Sequence, residues 1–233
     1  MFWLYYGGWG FMILSFIISI GAEIYVKSKF NKYSKIQNSR GLRGSDVASE
    51  ILHNAGIYDV SLKRVGGSLT DYYSPSSKEI ALSDDVGGAS SIAAAGVAAH
   101  ECGHAIQYAK GYFPIKIRNA IIPITQFGSK FWYISVILGL VFGNSHVGNA
   151  FLYFGIALFA LICIFQFVTL PVEFNASHRA LKILSDENIL TRDEVSGARE
   201  VLVAAALTYV AALATSLLQL IRLLNIANGR KRD

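Results

Sequence analysis

Four long apolar runs limit what this 233-residue chain can fold into more than any other feature of its sequence. About 20 consecutive, mostly apolar residues are enough for an α-helix to cross a bilayer. The runs cover residues 3–26, 117–142, 147–170 and 201–226. Only 16% of the chain is charged, whereas soluble domains carry roughly a quarter. The sequence therefore predicts a mainly α membrane protein with three to four transmembrane helices.

Basic residues indicate how these helices are oriented. No Lys or Arg precedes Lys27, so the first run lacks the basic start of a signal peptide and is predicted to be an uncleaved anchor. Six basic residues follow between positions 27 and 43, and such flanks remain in the cytoplasm. The N-terminus is therefore expected outside. A short turn at 143–146 makes the two middle runs a hairpin whose ends both return inside.

The last run leaves its own orientation open. Its length favours a membrane-spanning helix, but spanning would place Arg230, Lys231 and Arg232 outside, against the usual distribution of basic residues. The alternative is a buried helix packed on the soluble part of the chain.

The remaining residues divide the chain into segments. We expect an anchor (1–26), a soluble α+β segment (27–116), a transmembrane hairpin (117–170), a helix with a charged linker (171–200) and a final apolar helix with a basic tail (201–233). Within the soluble segment, the pattern predicts a helix over 45–55, a strand over 60–65, a hairpin of 69–73 with 79–82, and an alanine-rich helix over 90–110.

Charge and cysteine content argue against two other classes of protein. The net charge is +5, but the basic residues flank apolar runs and form no stripe interleaved with aromatics, so no nucleic-acid partner is expected. The two cysteines, Cys102 and Cys163, do not make a disulfide framework. A reducing compartment is therefore expected.

Residues 100–104, His-Glu-Cys-Gly-His, carry the chemistry that the sequence predicts. Residues four apart share one face of a helix, so the imidazoles of His100 and His104 can bind one zinc ion per chain. Zinc lowers the pKa of a water molecule, and Glu101 can accept its proton as general base and pass it to a leaving amine. Strands before this helix are typical of a zincin-like domain. The alternative is two core histidines beside a paired glutamate.

A catalytic zinc usually has three protein ligands, so another residue must complete the site. The candidates are Glu173, His178, Asp193, Glu194 and Glu200. Glu173 is preferred because it follows Pro171, which is predicted to begin a helix over 172–184, and because an acid beside a membrane end is costly unless paired. The alternative is that Glu173 pairs with a basic residue. His178 could donate a hydrogen bond to the transition state, or be an ordinary interfacial histidine.

Four stretches of the sequence carry a resemblance: residues 69–75 (LTDYYSP), 80–83 (IALS), 98–107 (AAHECGHAIQ) and 171–177 (PVEFNAS). Together they resemble the neutral zinc metallopeptidase family of bacterial membrane proteins. The chain resembles more distantly the heat-shock membrane protease and CAAX prenyl protease group, where a later glutamate is the third ligand, which implies that role for Glu173. That group has an Asp four residues after this glutamate, where the chain has Ser177, a weaker partner for a histidine ligand. The resemblance implies a gluzincin-like peptidase of the bacterial plasma membrane.

A possible substrate-binding edge precedes the metal helix. Leu69, Thr70, Asp71 and Tyr72 can form a strand to which an extended peptide adds. The alternative is an ordinary hairpin in a small sheet.

These observations predict a membrane-embedded zinc metalloendopeptidase with its site at the cytoplasmic membrane surface, acting on peptides or membrane proteins presented there. An intramembrane site-2-type protease is disfavoured, because such enzymes take an Asp ligand from a distant transmembrane segment and residues 117–170 and 201–226 contain no Asp. A non-catalytic metal-binding scaffold or chaperone is disfavoured by Glu101, since a structural site needs no base there.

Overall fold

The computed structural model describes residues 2–230, with side chains from Trp9 onward. Helices dominate, and the three strands of a small sheet lie between the second and third helices along the chain. In order, the elements are α1 (Phe2–Tyr33), α2 (Gly44–Asn54), β1 (Ser61–Val65), β2 (Tyr72–Ser74), β3 (Glu79–Ser83), α3 (Asp84–Gly87), α4 (Ile92–Ala109), α5 (Phe113–Val141), α6 (His146–Asp186) and α7 (Arg192–Arg230). The predicted mainly helical fold is confirmed.

Helices α1, α5, α6 and α7 are each long enough and apolar enough to cross a membrane. The chain divides into two compact units that we describe separately. The helical unit contains residues 1–22, 116–170 and 208–233, and the sheet-containing unit contains residues 23–115 and 171–207. Lys231 and Arg232, which the sequence placed in a basic tail, lie outside the described residues.

Two predicted boundaries are wrong. Pro171 was expected to begin a new helix, but it lies inside the continuous helix α6. Proline removes one backbone donor, here the one facing the carbonyl of Phe167, and the helix continues on both sides because its other hydrogen bonds remain. The final helix was expected to begin at residue 201 after a charged linker, but α7 already begins at Arg192.

A capping box explains the early start of α7. The backbone N–H of Thr191 donates to Glu194 Oε2 at 2.8 Å, and the N–H of Glu194 lies 3.5 Å from Thr191 Oγ1. A Thr followed three residues later by Glu is a known start signal for a helix. The sequence therefore contains a local signal for a helix that begins at residue 192, before the last apolar run.

The helical unit is held together by close helix contacts at glycines. A Cβ added to Gly139 on α5 would lie 2.7 Å from the backbone nitrogen of Leu152 on α6. Small residues of this kind let helix backbones approach closely in membrane proteins. Ser135 Oγ also donates to the carbonyl of Phe151 at 2.6 Å. The turn predicted at 143–146 therefore joins two tightly packed antiparallel helices.

The end of α7 lies beside that turn. Arg230 Nη1 donates to the carbonyls of Gly139 and Gly143 at 2.9 and 3.2 Å. Asn144 Nδ2 donates to the carbonyl of Arg230 at 3.0 Å. A cationic side chain at the C-terminal end of α5 satisfies carbonyls that have no partner within the helix.

In the sheet-containing unit, β3 is the central strand. It pairs in parallel with β1 and antiparallel with β2, so β1 and β2 are both edges. The predicted hairpin is confirmed, but its first strand is shorter than expected: Leu69 has a φ of +56°, and Leu69, Thr70 and Asp71 precede β2. Residue Leu69 thus turns the chain before pairing begins.

Helix α4 runs through the core of this unit. Ser91 Oγ accepts a hydrogen bond from the N–H of Ala94 at 3.1 Å and so caps the helix, as a serine at this position is expected to do. The alanines of its first turns are fully buried. On the same helix, a Cβ at Gly96 would meet the Cβ of Ala198 at 3.2 Å. Small side chains therefore let α4 pack closely against α7.

We predict that Gly139→Ala destabilises the helical unit by about 1–3 kcal/mol, the usual cost of overpacking a tight contact. The reason is that the new methyl group would overlap backbone atoms of Leu152. Thermal unfolding of the detergent-purified chain would show a lower midpoint. Gly21→Ala is the control, because a Cβ there meets nothing within 4 Å. Equal midpoints for the two variants would contradict the prediction.

Candidate metal centre

Three side chains converge between α4 and α6. The Nε2 atoms of His100 and His104 lie 3.3 and 3.5 Å from Oε2 of Glu173. One ligand atom from each of the three residues lies within 4.8 Å of the other two. Among the described residues, this is the one group of three or more His, Cys, Asp or Glu donors brought so close. All three belong to the sheet-containing unit.

Gly103 sets the distance between the two helices. A Cβ at this position would lie 2.6 Å from the carbonyl oxygen of Ala176, closer than side chains and backbone ever approach. The absence of a side chain therefore lets the backbone of α6 lie directly against α4. Since Ala176 is one helical turn beyond Glu173, this contact brings the carboxylate within reach of both imidazoles.

The second nitrogen of each imidazole also has a partner. Nδ1 of His100 lies 3.1 Å from Ser177 Oγ, and Nδ1 of His104 lies 3.0 Å from Gln107 Oε1. Both rings are thus oriented so that Nε2 faces the shared point near Glu173. A histidine that binds a metal ion through one ring nitrogen commonly forms a hydrogen bond through the other, which orients the ring. The sequence raised Ser177 as a partner for a histidine ligand, and the structure places it beside His100.

Glu101 is buried next to these groups, with 7% of its surface exposed. Burial raises the pKa of its carboxyl, and the nearby imidazoles of His100 and His104 counteract only part of that rise. Burial alone would lower the pKa of His104, but the carboxylate of Glu173 offsets this and raises it. A carboxylate with a raised pKa accepts a proton more readily, as a general base must.

The chemistry of the donor set fits zinc. Two imidazole nitrogens and one carboxylate oxygen are the ligands of one well-known class of catalytic zinc site, which keeps a fourth position open. Cys102 does not compete as a ligand: its Sγ contacts the carbonyl of Ala48 at 3.6 Å, and burial raises the pKa of its thiol.

The other candidates for a third ligand lie elsewhere. Glu200 Oε2 accepts from Lys29 Nζ at 2.6 Å, and its Oε1 accepts from the Tyr33 hydroxyl at 2.7 Å, so it joins α7 to α1. Glu194 is used in the capping box, and Asp193 is exposed in the first turn of α7. His178 is exposed on α6 and does not belong to the donor group.

One residue of the predicted substrate-binding edge, Asp71, has a structural role. Asp71 accepts hydrogen bonds from the N–H and the hydroxyl of Ser83, at 2.7 and 3.1 Å. Burial raises the pKa of its carboxyl, against the effect of these two bonds. Asp71 therefore fastens the chain before β2 to the end of β3. Tyr72 begins the exposed edge strand itself.

Two polar residues of the site were not assigned a role from the sequence. Gln107 is fully buried and contacts His104, and its Nε2 donates to Asn175 Oδ1 at 3.0 Å. A glutamine three residues after a histidine lies on the same helical face, and this spacing was a usable signal. The partner on α6 could not be found from spacing within one helix.

The profile of the family described as "Putative neutral zinc metallopeptidase" matches residues 9–228. The chain belongs to this family. Among curated proteins, it is similar to "Putative membrane protease YugP" of Bacillus subtilis (strain 168), with 42% identity over 217 residues, covering 93% of this chain and 95% of that protein. No solved structure matches the chain. Membership of this zinc metallopeptidase family supports zinc as the metal for the donor group.

We predict that Gly103→Ala weakens zinc binding at least tenfold, because the added methyl group forces α6 away from α4 and displaces Glu173. Gly96→Ala is the matched control on the same helix, since its Cβ would meet the Ala198 methyl group at 3.2 Å, away from Glu173. Competition with a chromogenic chelator measures both affinities. Unchanged zinc binding in a folded Gly103→Ala protein would show that the helix spacing does not set the site.

Proposed function

We propose that this protein is a zinc metalloendopeptidase of the bacterial plasma membrane, with His100, His104 and Glu173 as ligands of one zinc ion per chain and Glu101 as general base. The observation that carries the proposal is the convergence of three donor atoms within 4.8 Å on two packed helices. Family membership and the similarity to a membrane protease support the same activity. In ligand set the site is of the gluzincin type.

The residues of the site have separate roles in the proposed hydrolysis. Zinc held by His100, His104 and Glu173 would lower the pKa of a water molecule and polarise the carbonyl of the peptide. Glu101 takes one proton as the water oxygen adds to the carbonyl carbon. The same carboxyl then gives that proton to the amine nitrogen as the C–N bond breaks. Ser177 and Gln107 hold the imidazoles in place throughout.

The edge strand β2 offers a place for the substrate. One side of β2 pairs with β3, and its outer side is an edge at which an extended peptide can add by backbone hydrogen bonds. Tyr73 on β2 contacts the ring of Tyr108 on α4 at 5.4 Å between centroids, so the strand is packed against the metal helix. Substrates would therefore be extended segments of peptides or membrane proteins.

The proposed topology has the N-terminus outside and the site cytoplasmic. The basic residues that follow the first apolar run support this orientation. Glu173 comes three residues after the third apolar run, which puts it near the cytoplasmic end of the hairpin. The contact of Arg230 with the hairpin turn favours a membrane-spanning α7, because it joins the far end of α7 to the outer end of that hairpin.

The two alternatives are less well supported. A site-2-type protease needs an Asp from a distant transmembrane segment, whereas the third donor here is Glu173. A metal-binding scaffold requires no general base, whereas this chain has a buried acid, Glu101, directly beside the donor group.

We predict that Glu173→Ala loses stoichiometric zinc, because two imidazoles alone bind the ion too weakly to survive purification. Glu200→Ala and His178→Ala are the controls, since neither side chain belongs to the donor group. Elemental analysis of the folded proteins gives the metal content. Retention of zinc by Glu173→Ala would exclude Glu173 as a ligand, and a wild type without zinc would overturn the proposed function.

We predict that Glu101→Gln keeps its zinc but loses roughly 10²–10⁴-fold in kcat, the usual contribution of a general base. Glutamine has the same shape and cannot accept the proton. Cleavage of a fluorescently labelled casein measures the activity. Cys102→Ala is the adjacent control, because its thiol faces α2 and should leave the rate unchanged. Full activity in Glu101→Gln would favour a site without this base.

A further inference from the structure

Gln107 is the most completely bonded polar side chain near the donor group. It has no exposed surface. Its Nε2 donates to the carbonyl of Val172 at 2.8 Å and to Asn175 Oδ1 at 3.0 Å, and its Oε1 lies 3.0 Å from Nδ1 of His104. Both protons of the amide and its carbonyl oxygen are therefore used.

These contacts fix which way the amide of Gln107 points. The carbonyl of Val172 can only accept a hydrogen bond, so the nitrogen and not the oxygen of Gln107 must face it. Asn175 Oδ1 is held in turn by Arg179 Nε, which donates to it at 2.7 Å. The oxygen of Gln107 is then left facing His104, because flipping the amide would set that oxygen against two acceptors, the Val172 carbonyl and Asn175 Oδ1.

A fixed amide also fixes the proton of His104. Since Gln107 Oε1 can only accept, Nδ1 of His104 must carry the proton, and the neutral ring then presents the lone pair of Nε2 toward Glu173. The partner of His100 differs, because the hydroxyl of Ser177 can donate or accept and does not select a tautomer.

Gln107 also reaches the third donor through the backbone. Val172, whose carbonyl it binds, directly precedes Glu173. One amide therefore holds an imidazole on α4 and the backbone next to the carboxylate on α6.

Resting on the proposed zinc site, we infer that Gln107 is a positioning residue, which sets the tautomer of His104 and fixes His104 and Glu173 relative to each other. It touches neither substrate nor metal. Residues that hold ligands in this way typically change metal affinity by about 10–100-fold when replaced.

Two variants separate this role from a merely structural one. Gln107→Met keeps the volume and removes the acceptor for His104 together with both donors. Gln107→Glu keeps an acceptor for His104 and changes only the side that faces Val172 and Asn175. We expect both to lower the thermal midpoint of the metal-free chain, because both lose the bond to the Val172 carbonyl. Gln107→Met also loses the acceptor for His104, so we expect it to weaken zinc binding by about 10–100-fold, clearly more than Gln107→Glu does, and to alter the visible spectrum of the cobalt-substituted protein.

The outcomes distinguish this inference from the function on which it rests. A wild type that binds no zinc overturns both. A wild type that binds zinc no more tightly than Gln107→Met overturns the inference alone, as does equal weakening in Gln107→Met and Gln107→Glu.

If Gln107→Met does not fold, the zinc-loaded wild type still tests the inference. With ¹⁵N-labelled histidine, we expect the Nδ1 proton of His104 to give a slowly exchanging NMR signal and Nε2 to be the metal-bound nitrogen. A His104 that binds zinc through Nδ1 would overturn it.

Discussion

The contact between Gly103 and the carbonyl of Ala176 is the constraint on which the rest of the site depends. Because no side chain separates the two backbones there, α6 lies close enough to α4 for one carboxylate to reach two imidazoles. The same spacing lets Ser177 and Gln107 bridge the helices. The geometry of a donor group built on two helices depends on the distance between them, and here a glycine sets that distance.

The burial of two acidic side chains in this group is energetically costly unless they have partners. Glu101 and Glu173 are both almost inaccessible, and an ionised carboxylate without partners is very unfavourable in such surroundings. Glu173 instead faces the two imidazoles, and each imidazole has a neutral hydrogen-bonding partner at its other nitrogen. Polar clusters of this kind are stable when every member is satisfied, and they then impose a single geometry on the helices that supply them.

Local signals in the sequence predicted much of this structure. The alanine-rich helix with its Ser91 cap, the hairpin before it and the pairing of His100 with His104 all follow from spacing within a few residues. The position of Glu173 beside the end of a predicted transmembrane helix made it the preferred third ligand. Its carboxylate reaches the two imidazoles because α6 packs against α4. The continuation of α6 through Pro171 runs against the local signal, because proline is favoured in the first turn of a helix and disfavoured in its interior. Contacts between elements, such as that of Gln107 with Val172, could not be predicted because no pattern within one helix shows what a second helix brings to it.

The neutral partners behind the two histidines have a consequence for the charge of the whole centre. Glu101 and Glu173 supply one negative charge each when ionised, and the two imidazoles are uncharged when they act as ligands. The hydroxyl of Ser177 and the amide of Gln107 add no charge. With the proposed divalent cation in place, the group of these two acids and two imidazoles would therefore carry no net charge, and buried charges cost least when they are paired or bind a metal ion. An aspartate at position 177 would add one negative charge to this group. With Ser177, the charge of the two ionised acids equals that of the divalent cation.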